Sequence, residues 1–392
     1  MIPRRSVLGL GMAQLISWGI TYYLIGGFGD AMVADLGWGR DAVYGGFSAA
    51  LLVMALVSPL AGRWIDRRGG RRVMIAGALV NAAGCLALAA SHRVVTYYAA
   101  WLVLGVAMRL TLYDAAFAAL ARIGGAAARR AMAQITLLGG LASTVFWPLG
   151  HAIAGRVGWR GAVAAYAGFA LLTVPLHLML PDTRHDSEPG AAPAGRGPPP
   201  GAPLGNRAIA GALYAGIAAL AAFLNAGMSS HMIGLYTGLG VAASAAVQIA
   251  TLRGVGQSAA RLAEVVFGRR IDPLTLNLVA AALLPACFAA GLLSGRSTAA
   301  AAGFALVYGV ANGALTITRG TLPLVLFDPR AYGAQVGRLL IASFVLSSAA
   351  PVIYAAVIER IGAAGALVMS LVAAGLVVVA AVVLRLPFRA PE

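Results

Sequence analysis

The chain has no lysine, only two cysteines and only 13 acidic residues among 392. Each shortage excludes something. Without lysine there is no Gly-x-x-x-x-Gly-Lys-Ser/Thr phosphate-binding loop, so nucleotide hydrolysis is not expected to drive the chain. Cys85 and Cys287 sit apart in separate apolar runs, which suggests neither metal ligation nor a disulfide. No Ser/His/Asp arrangement or His cluster offers catalytic chemistry, so neither an enzyme nor a cofactor is expected. Charged residues make up 11% of the chain, against about 25% in an ordinary soluble domain. Hydrophobic residues make up 60%, and too few polar side chains remain to cover a globule with water.

Long apolar runs fill that space. About twenty apolar residues cross a bilayer as one helix. Twelve such runs are predicted, at about 8–30, 43–62, 73–91, 95–121, 132–155, 161–180, 208–232, 242–267, 275–294, 298–326, 335–358 and 363–384. In lipid every backbone donor needs a partner inside its own segment, so the runs are expected to be helices. They do not alternate as the strands of a membrane barrel would. All 29 basic residues are arginine: 19 fall on one set of loops, six on the other and four inside runs. The positive-inside rule then puts both termini in the cytoplasm and the chain in the inner membrane. The net charge of +16 is scattered over short loops, which suits anionic lipid and argues against nucleic acid. Met1-Ile2-Pro3-Arg4-Arg5 has the charge of an export signal, but the run after it is too long and lacks a clear cleavage site.

A short pattern occurs twice. Gly62-Arg63-Trp64-Ile65-Asp66 returns as Gly268-Arg269-Arg270-Ile271-Asp272, each copy following the second run of six. Gly105-Val106-Ala107 returns as Gly309-Val310-Ala311, and Pro148 has a counterpart in Pro351. Residues 182–207, rich in proline and glycine, read as a cytoplasmic linker without packed structure of its own. The expected organisation is therefore a duplicated one, with six-helix bundles at 1–181 and 208–392. Such repeats are characteristic of secondary transporters. The 50 glycines suit helices that pack closely.

The stretch from Gly62 to Arg72 closely resembles the loop signature between spans two and three of the major facilitator superfamily: a glycine, three residues, Asp-Arg, one residue, a glycine, then basic residues. The resemblance implies an all-α membrane fold of twelve transmembrane helices in two pseudo-symmetric bundles that rock to give alternating access. It also implies a cytoplasmic latch formed by Gly62, Asp66, Arg67, Gly69 and Arg71, with a weaker second copy at Gly268 and Asp272, where Pro273 replaces the arginine. Gly62 is expected to let the chain leave span two tightly. Asp66 is expected to meet the positive end of a neighbouring helix. Gly37-Trp38-Gly39-Arg40 is similar to a Gly-Trp-Ser-Arg segment of the monocarboxylate and oxalate/formate carriers, with Gly39 in place of serine.

Six arginine, aspartate or glutamate residues lie deep inside the runs: Arg109 and Asp114 in the fourth, Arg253, Arg261 and Glu264 in the eighth, and Arg319 in the tenth. At mid-bilayer each costs about 2.5–3.5 kcal/mol, so all six facing lipid would cost on the order of 15–20 kcal/mol. That exceeds a typical folding margin of about 5–15 kcal/mol. They are expected to face one another or a wet cavity. Arg253, Gln257, Arg261 and Glu264 recur on one helix face, and Arg261 and Glu264 can pair. Arg253 has no acid at helical spacing and is the first candidate for binding an anion. Arg109 and Tyr113 share a face, whereas in a continuous helix Asp114 would point about 140° away from Arg109. Asp114 is expected to meet Arg319 in one conformation.

The candidate substrate-binding set is thus Arg253, Arg109, Tyr113, Arg319, Tyr22, Asn225 and His231. Asp114, Glu264 and Arg261 are the candidates for proton coupling or gating. Four cations against two anions favour a small organic anion, plausibly a monocarboxylate, moved together with protons. An exporter of a hydrophobic or cationic compound and a non-transporting membrane sensor are the competing readings.

Overall fold

The computed structural model describes residues 2–124, 128–182, 204–267, 271–326 and 339–386. Among them the chain is helical throughout and contains no strand. The helices are α1 (Arg4–Ile20), α2 (Leu24–Leu36), α3 (Arg40–Arg68), α4 (Gly70–Ala89), α5 (Val94–Thr111), α6 (Tyr113–Gly124), α7 (Ala128–Gly140), α8 (Ala142–Leu178), α9 (Leu204–Gly238), α10 (Ala243–Phe267), α11 (Pro273–Gly291), α12 (Thr298–Leu326) and α13 (Ile341–Arg385). Two compact units form: Met1–Pro193 with Ser229–Ile233, and Ala194–Met228 with Gly234–Glu392. In the first, α1 packs on α7 and α8, α4 lies against α5 and α8, and α3 packs on α5. In the second, α12 packs on α10 and α11, and α11 on α13.

Nine helical stretches among the described residues are long and apolar enough to cross a membrane. Two of them, Gln134–Leu178 and Ile341–Arg385, run for 45 residues each. About twenty residues suffice for one crossing, and each stretch is divided by a glycine with non-helical backbone. Gly158 has φ 69° and ψ 172°, and Gly362, 204 residues later, has φ 84° and ψ 176°. A side chain at such a φ is strained, so glycine supplies the corner at no steric cost. Gly37 (φ 67°) and Gly240 (φ 93°) form another matched pair, at the ends of α2 and α9. The repeat is therefore written in backbone conformation as well as in motifs. α10, diluted by Gln248, Arg253, Gln257, Arg261 and Glu264, is not among the nine apolar stretches.

Three expectations are corrected. Gly62 does not turn the chain: α3 continues to Arg68, and the turn is the single residue Gly69 (φ 84°), whose N–H bonds the Ile65 carbonyl at 2.9 Å. Arg67 and Arg68 occupy the last turn of α3, where cations suit the helix dipole. The linker is shorter than 182–207, because α9 already begins at Leu204; residues 183–203 lie outside the described residues. The first and fourth runs are each broken, at residues 21–23 and at Leu112.

Both breaks draw on side chains and short turns to complete backbone groups, as irregular backbone inside a membrane requires. At Leu112 (φ −80°, ψ −173°) the N–H groups of Ala115 and Ala116 both turn to the Leu112 carbonyl. In a continuous helix Ala115 would bond Thr111, and here the Gln14 side-chain amide donates to the Thr111 carbonyl instead, at 2.7 Å. In the other break the Thr21 hydroxyl donates to the Ser17 carbonyl at 2.5 Å, and the Trp147 indole donates to the Tyr23 carbonyl at 3.0 Å.

Glycine sets the closest helix contacts. A Cβ on Gly105 would overlap the backbone of Ala50, and one on Gly309 would overlap the backbone of Arg253. The same seam thus holds α3 to α5 and α10 to α12. Gly303, also on α12, borders open space, and a methyl group added there would meet nothing within 4 Å. Gly309→Leu is expected to lower stability by about 1–3 kcal/mol through overpacking. Gly303→Ala is expected to be neutral or slightly stabilising. Melting curves of the two purified variants in detergent check the contrast.

Candidate functional site

In the second unit, Arg253 sits at the middle of α10 and is wholly buried. Its Nη2 donates to the Asn225 side-chain oxygen at 2.7 Å. Asn312 on α12 donates its amide to that same oxygen at 3.0 Å. The guanidinium carbon lies 5.4 Å from the centre of the Tyr308 ring, within cation–π range. An amide oxygen has two lone pairs, so one Asn225 accepts from both donors. Sequence reading singled out Arg253 and Asn225, and the structure brings them together. It missed Tyr308 and Asn312. The available signal was spacing, since they lie four apart on α12 and so share one face.

Gln257 and Arg261 continue the buried stripe of α10, and Glu264 is half-buried. Gly313 meets the backbone at Gln257 as Gly309 meets that at Arg253. Arg319 is half-buried, and its backbone carbonyl accepts from the Tyr214 hydroxyl at 2.7 Å.

In the first unit, the break at Leu112 reverses the expected geometry of the fourth run. Arg109 and Asp114 do pair, at 3.4 Å, because the extended residue between them turns α6 out of register with α5. Arg109 lies in the last turn of α5 and Asp114 in the first turn of α6, so each charge also suits its own helix end. Arg109 Nε donates to the Ser58 hydroxyl at 2.9 Å. The Asp114 carboxylate is 53% exposed. A carboxylate that far inside a span has to meet water rather than lipid.

Aromatic rings surround the two breaks. Trp18 lies 4.9 Å from both Tyr22 and Tyr113, and Tyr113 stacks on Phe117 at 5.6 Å. Tyr113 also donates to the Thr136 carbonyl at 3.3 Å. Tyr22 packs on Tyr23 and Phe47 as well. His231 is buried and stacks on Tyr44 at 4.0 Å. The Tyr44 hydroxyl donates to Asp30, and Asp30 pairs with Arg40 at 2.6 Å. Arg40 of the Gly37-Trp38-Gly39-Arg40 stretch thus starts α3 and ties it to α2.

The latch residues divide. Asp66 lies in the last helical turn of α3, with its side chain outside the described residues. Arg67 is exposed, Arg71 is half-buried, and Arg72 pairs with Asp182 at 3.5 Å. Arg122, which sequence reading passed over, donates to the Ile65 carbonyl at 2.9 Å and so binds the end of α6 to the end of α3. Gly268 lies outside the described residues. Asp272 caps α11, accepting from the Thr275 N–H at 3.0 Å and its hydroxyl at 3.2 Å, with Pro273 in the first turn. A helix cap accounts for the aspartate in the second copy without a latch.

The two donors on Asn225 make it the hinge of the second-unit cluster. Asn225→Leu takes one acceptor from a buried cation and is expected to cost about 1.5–3 kcal/mol. Asn225→Leu combined with Arg253→Met removes both sides and is expected to recover most of that loss. Thermal melts of the single and double variants form the double-mutant cycle that checks it.

Known proteins share this architecture. None of the curated proteins matches the chain in sequence. A mutant of the nucleoside transporter NupG superposes with a TM-score of 0.75 at 15% identity, covering 98% of this chain and 100% of that one. A bacterial homologue of the human lysosomal transporter Spinster, inward-facing and occupied, gives 0.67 at 15% identity, covering 98% and 96%. The human organic anion transporter MFSD10 (TETRAN) gives 0.66 at 20% identity, covering 97% and 99%. At these identities the likeness is one of fold. The sequence profile of the Major Facilitator Superfamily matches residues 10–351, and the chain belongs to that superfamily of multi-pass membrane transporters.

Proposed function

We propose that the chain is a secondary active transporter that carries a small organic anion, plausibly a monocarboxylate, across the inner membrane. Twelve spans follow if α10 is a crossing and each 45-residue stretch crosses twice. With the arginine-rich loops inside, both termini are cytoplasmic. The observation that carries the substrate reading is Arg253: a fully buried arginine on a polar helix, oriented by an amide and an aromatic ring. Its charge is part of a surplus of two positive charges inside the spans, counting Arg109, Arg261 and Arg319 with it against Asp114 and Glu264. An arginine fork presents paired donors that match a carboxylate.

Protons are the proposed coupling ion, with Asp114 and Glu264 as carriers and Arg261 as the neighbouring cation. Tyr22, Tyr113 and Arg109 are proposed to contribute to the wet face of the first unit. Arg319 is proposed as a gating partner and His231 as a specificity residue. The exposed Asp114 beside Trp18 and Tyr113 favours the competing reading, export of a hydrophobic cation.

Uptake of labelled benzoate by proteoliposomes separates the two. Under the anion reading, Arg253→Gln lowers uptake by at least about tenfold, the value of one strong charge-assisted contact. Arg253→Lys keeps the charge but loses the fork and retains an intermediate rate. Benzoate uptake that both variants leave untouched contradicts the assignment. An inward proton gradient is expected to stimulate uptake in the wild type and not in Glu264→Gln.

A further inference from the structure

Helix α1 approaches its break with a row of polar side chains that the fold leaves incomplete. Gln14, Ser17 and Trp18 lie three and four apart, on one helix face. Gln14 and Ser17 are buried to within 1% of full coverage, and Trp18 is half-buried. Gln14 spends its amide N–H on the Thr111 carbonyl, but its Oε1 has no hydrogen-bond partner among the described residues. The Ser17 hydroxyl and the Trp18 indole N–H have none either. A buried polar atom left unpaired costs about 1–3 kcal/mol, so three on one face of a single helix call for an occupant.

The surroundings define its shape. The Trp18 ring lies 4.9 Å from Tyr113 and 4.9 Å from Tyr22, and Tyr113 stacks on Phe117. These rings present flat, polarisable faces beside the two helix breaks. The exposed Asp114 carboxylate marks the same stretch of α6 as wet.

We propose that the first unit holds a binding subsite for a planar group whose edge carries a hydrogen-bond donor next to an acceptor, as in a cyclic amide. The ring N–H donates to Gln14 Oε1, the ring carbonyl accepts from Trp18 Nε1, and the plane stacks on Tyr113. Ser17 supplies a third contact for a hydroxyl or amide substituent. The subsite lies wholly in the first unit and goes beyond the anion reading, which rests on Arg253 in the second.

Two probes keep the two ideas apart. Binding of neutral 2-pyridone, which has the cyclic-amide edge and no carboxylate, tests the subsite. Binding of benzoate, which has a carboxylate and no such edge, tests Arg253. Calorimetric titration of the purified full chain is expected to detect 2-pyridone, with affinity about tenfold weaker in Trp18→Phe, which keeps a ring and loses only the N–H. Gln14→Met gives the same loss, provided its melting curve shows a folded protein. Pyridine, which offers an acceptor alone, binds the wild type about tenfold more weakly than 2-pyridone. Absence of 2-pyridone binding, or equal binding by the wild type and Trp18→Phe, overturns the subsite whatever benzoate does. Loss of benzoate binding alone overturns the anion reading and leaves the subsite standing.

Discussion

A charge deep in a membrane protein is supplied with polar partners by the protein itself, or it drives the fold apart. The rest of this structure is arranged around that constraint. Arg253 is the strictest case: it is fully covered, and an asparagine shared with a second amide holds it in place over a tyrosine ring. The seam that makes this possible is glycine. Gly309 lets α12 come down onto the Arg253 backbone, which brings Asn312 and Tyr308 on that helix within reach. The first half repeats the seam with Gly105 on Ala50. Ala50 corresponds to Arg253, so one scaffold carries a cation in one copy and a methyl group in the other.

The first unit meets the constraint differently. There the fourth run is broken, and the break turns Asp114 back toward Arg109. The break releases the Thr111 carbonyl, which takes a new donor from Gln14, and the Leu112 carbonyl accepts from two N–H groups. The break in the first run is closed by Thr21 and Trp147 in the same manner. Irregular backbone is tolerated within a membrane only where protein or water completes it. Discontinuous spans are also where transporters place recognition groups. The orphaned atoms of Gln14, Ser17 and Trp18 lie at such a place.

Much of the fold was legible in the sequence because its signals are compositional and repeated. Apolar runs of membrane length point to a multi-pass membrane protein, and the Gly62–Arg72 pattern carries the resemblance to the superfamily. The Arg253–Asn225 contact was half-legible: both residues stand out as polar groups in apolar runs, but their partners on α12 are ordinary residue types. The helix breaks were not legible. Leu112 and the Thr21-Tyr22-Tyr23 stretch contain neither proline nor glycine, and what stabilises them is tertiary: an amide from α1 and an indole from α8. The pairing of Arg109 with Asp114 was misread for that reason, since the angle between them assumed an unbroken helix. Gly62 was misread as a turn because a glycine within a helix and a glycine ending one look alike without their neighbours. The corner pair Gly158 and Gly362 was readable, as Arg-x-Gly-x-x-Gly-Ala at 156–162 and again at 360–366, but gains its meaning only from the backbone angles.

The central claim is that the buried charge of α10 belongs to a watered binding site and is not simply a packing element. Thiol accessibility tests it most directly. Cys85 and Cys287 are both buried, so a background carrying Cys85→Ala and Cys287→Ala removes competing thiols. In that background Arg253→Cys is treated with a small, charged, membrane-impermeant methanethiosulfonate reagent in sealed vesicles. The account predicts modification as the protein cycles, and slower modification of the neighbouring Asn312→Cys variant when benzoate is present. A folded protein whose thiols at both positions stay inert to the reagent would contradict it.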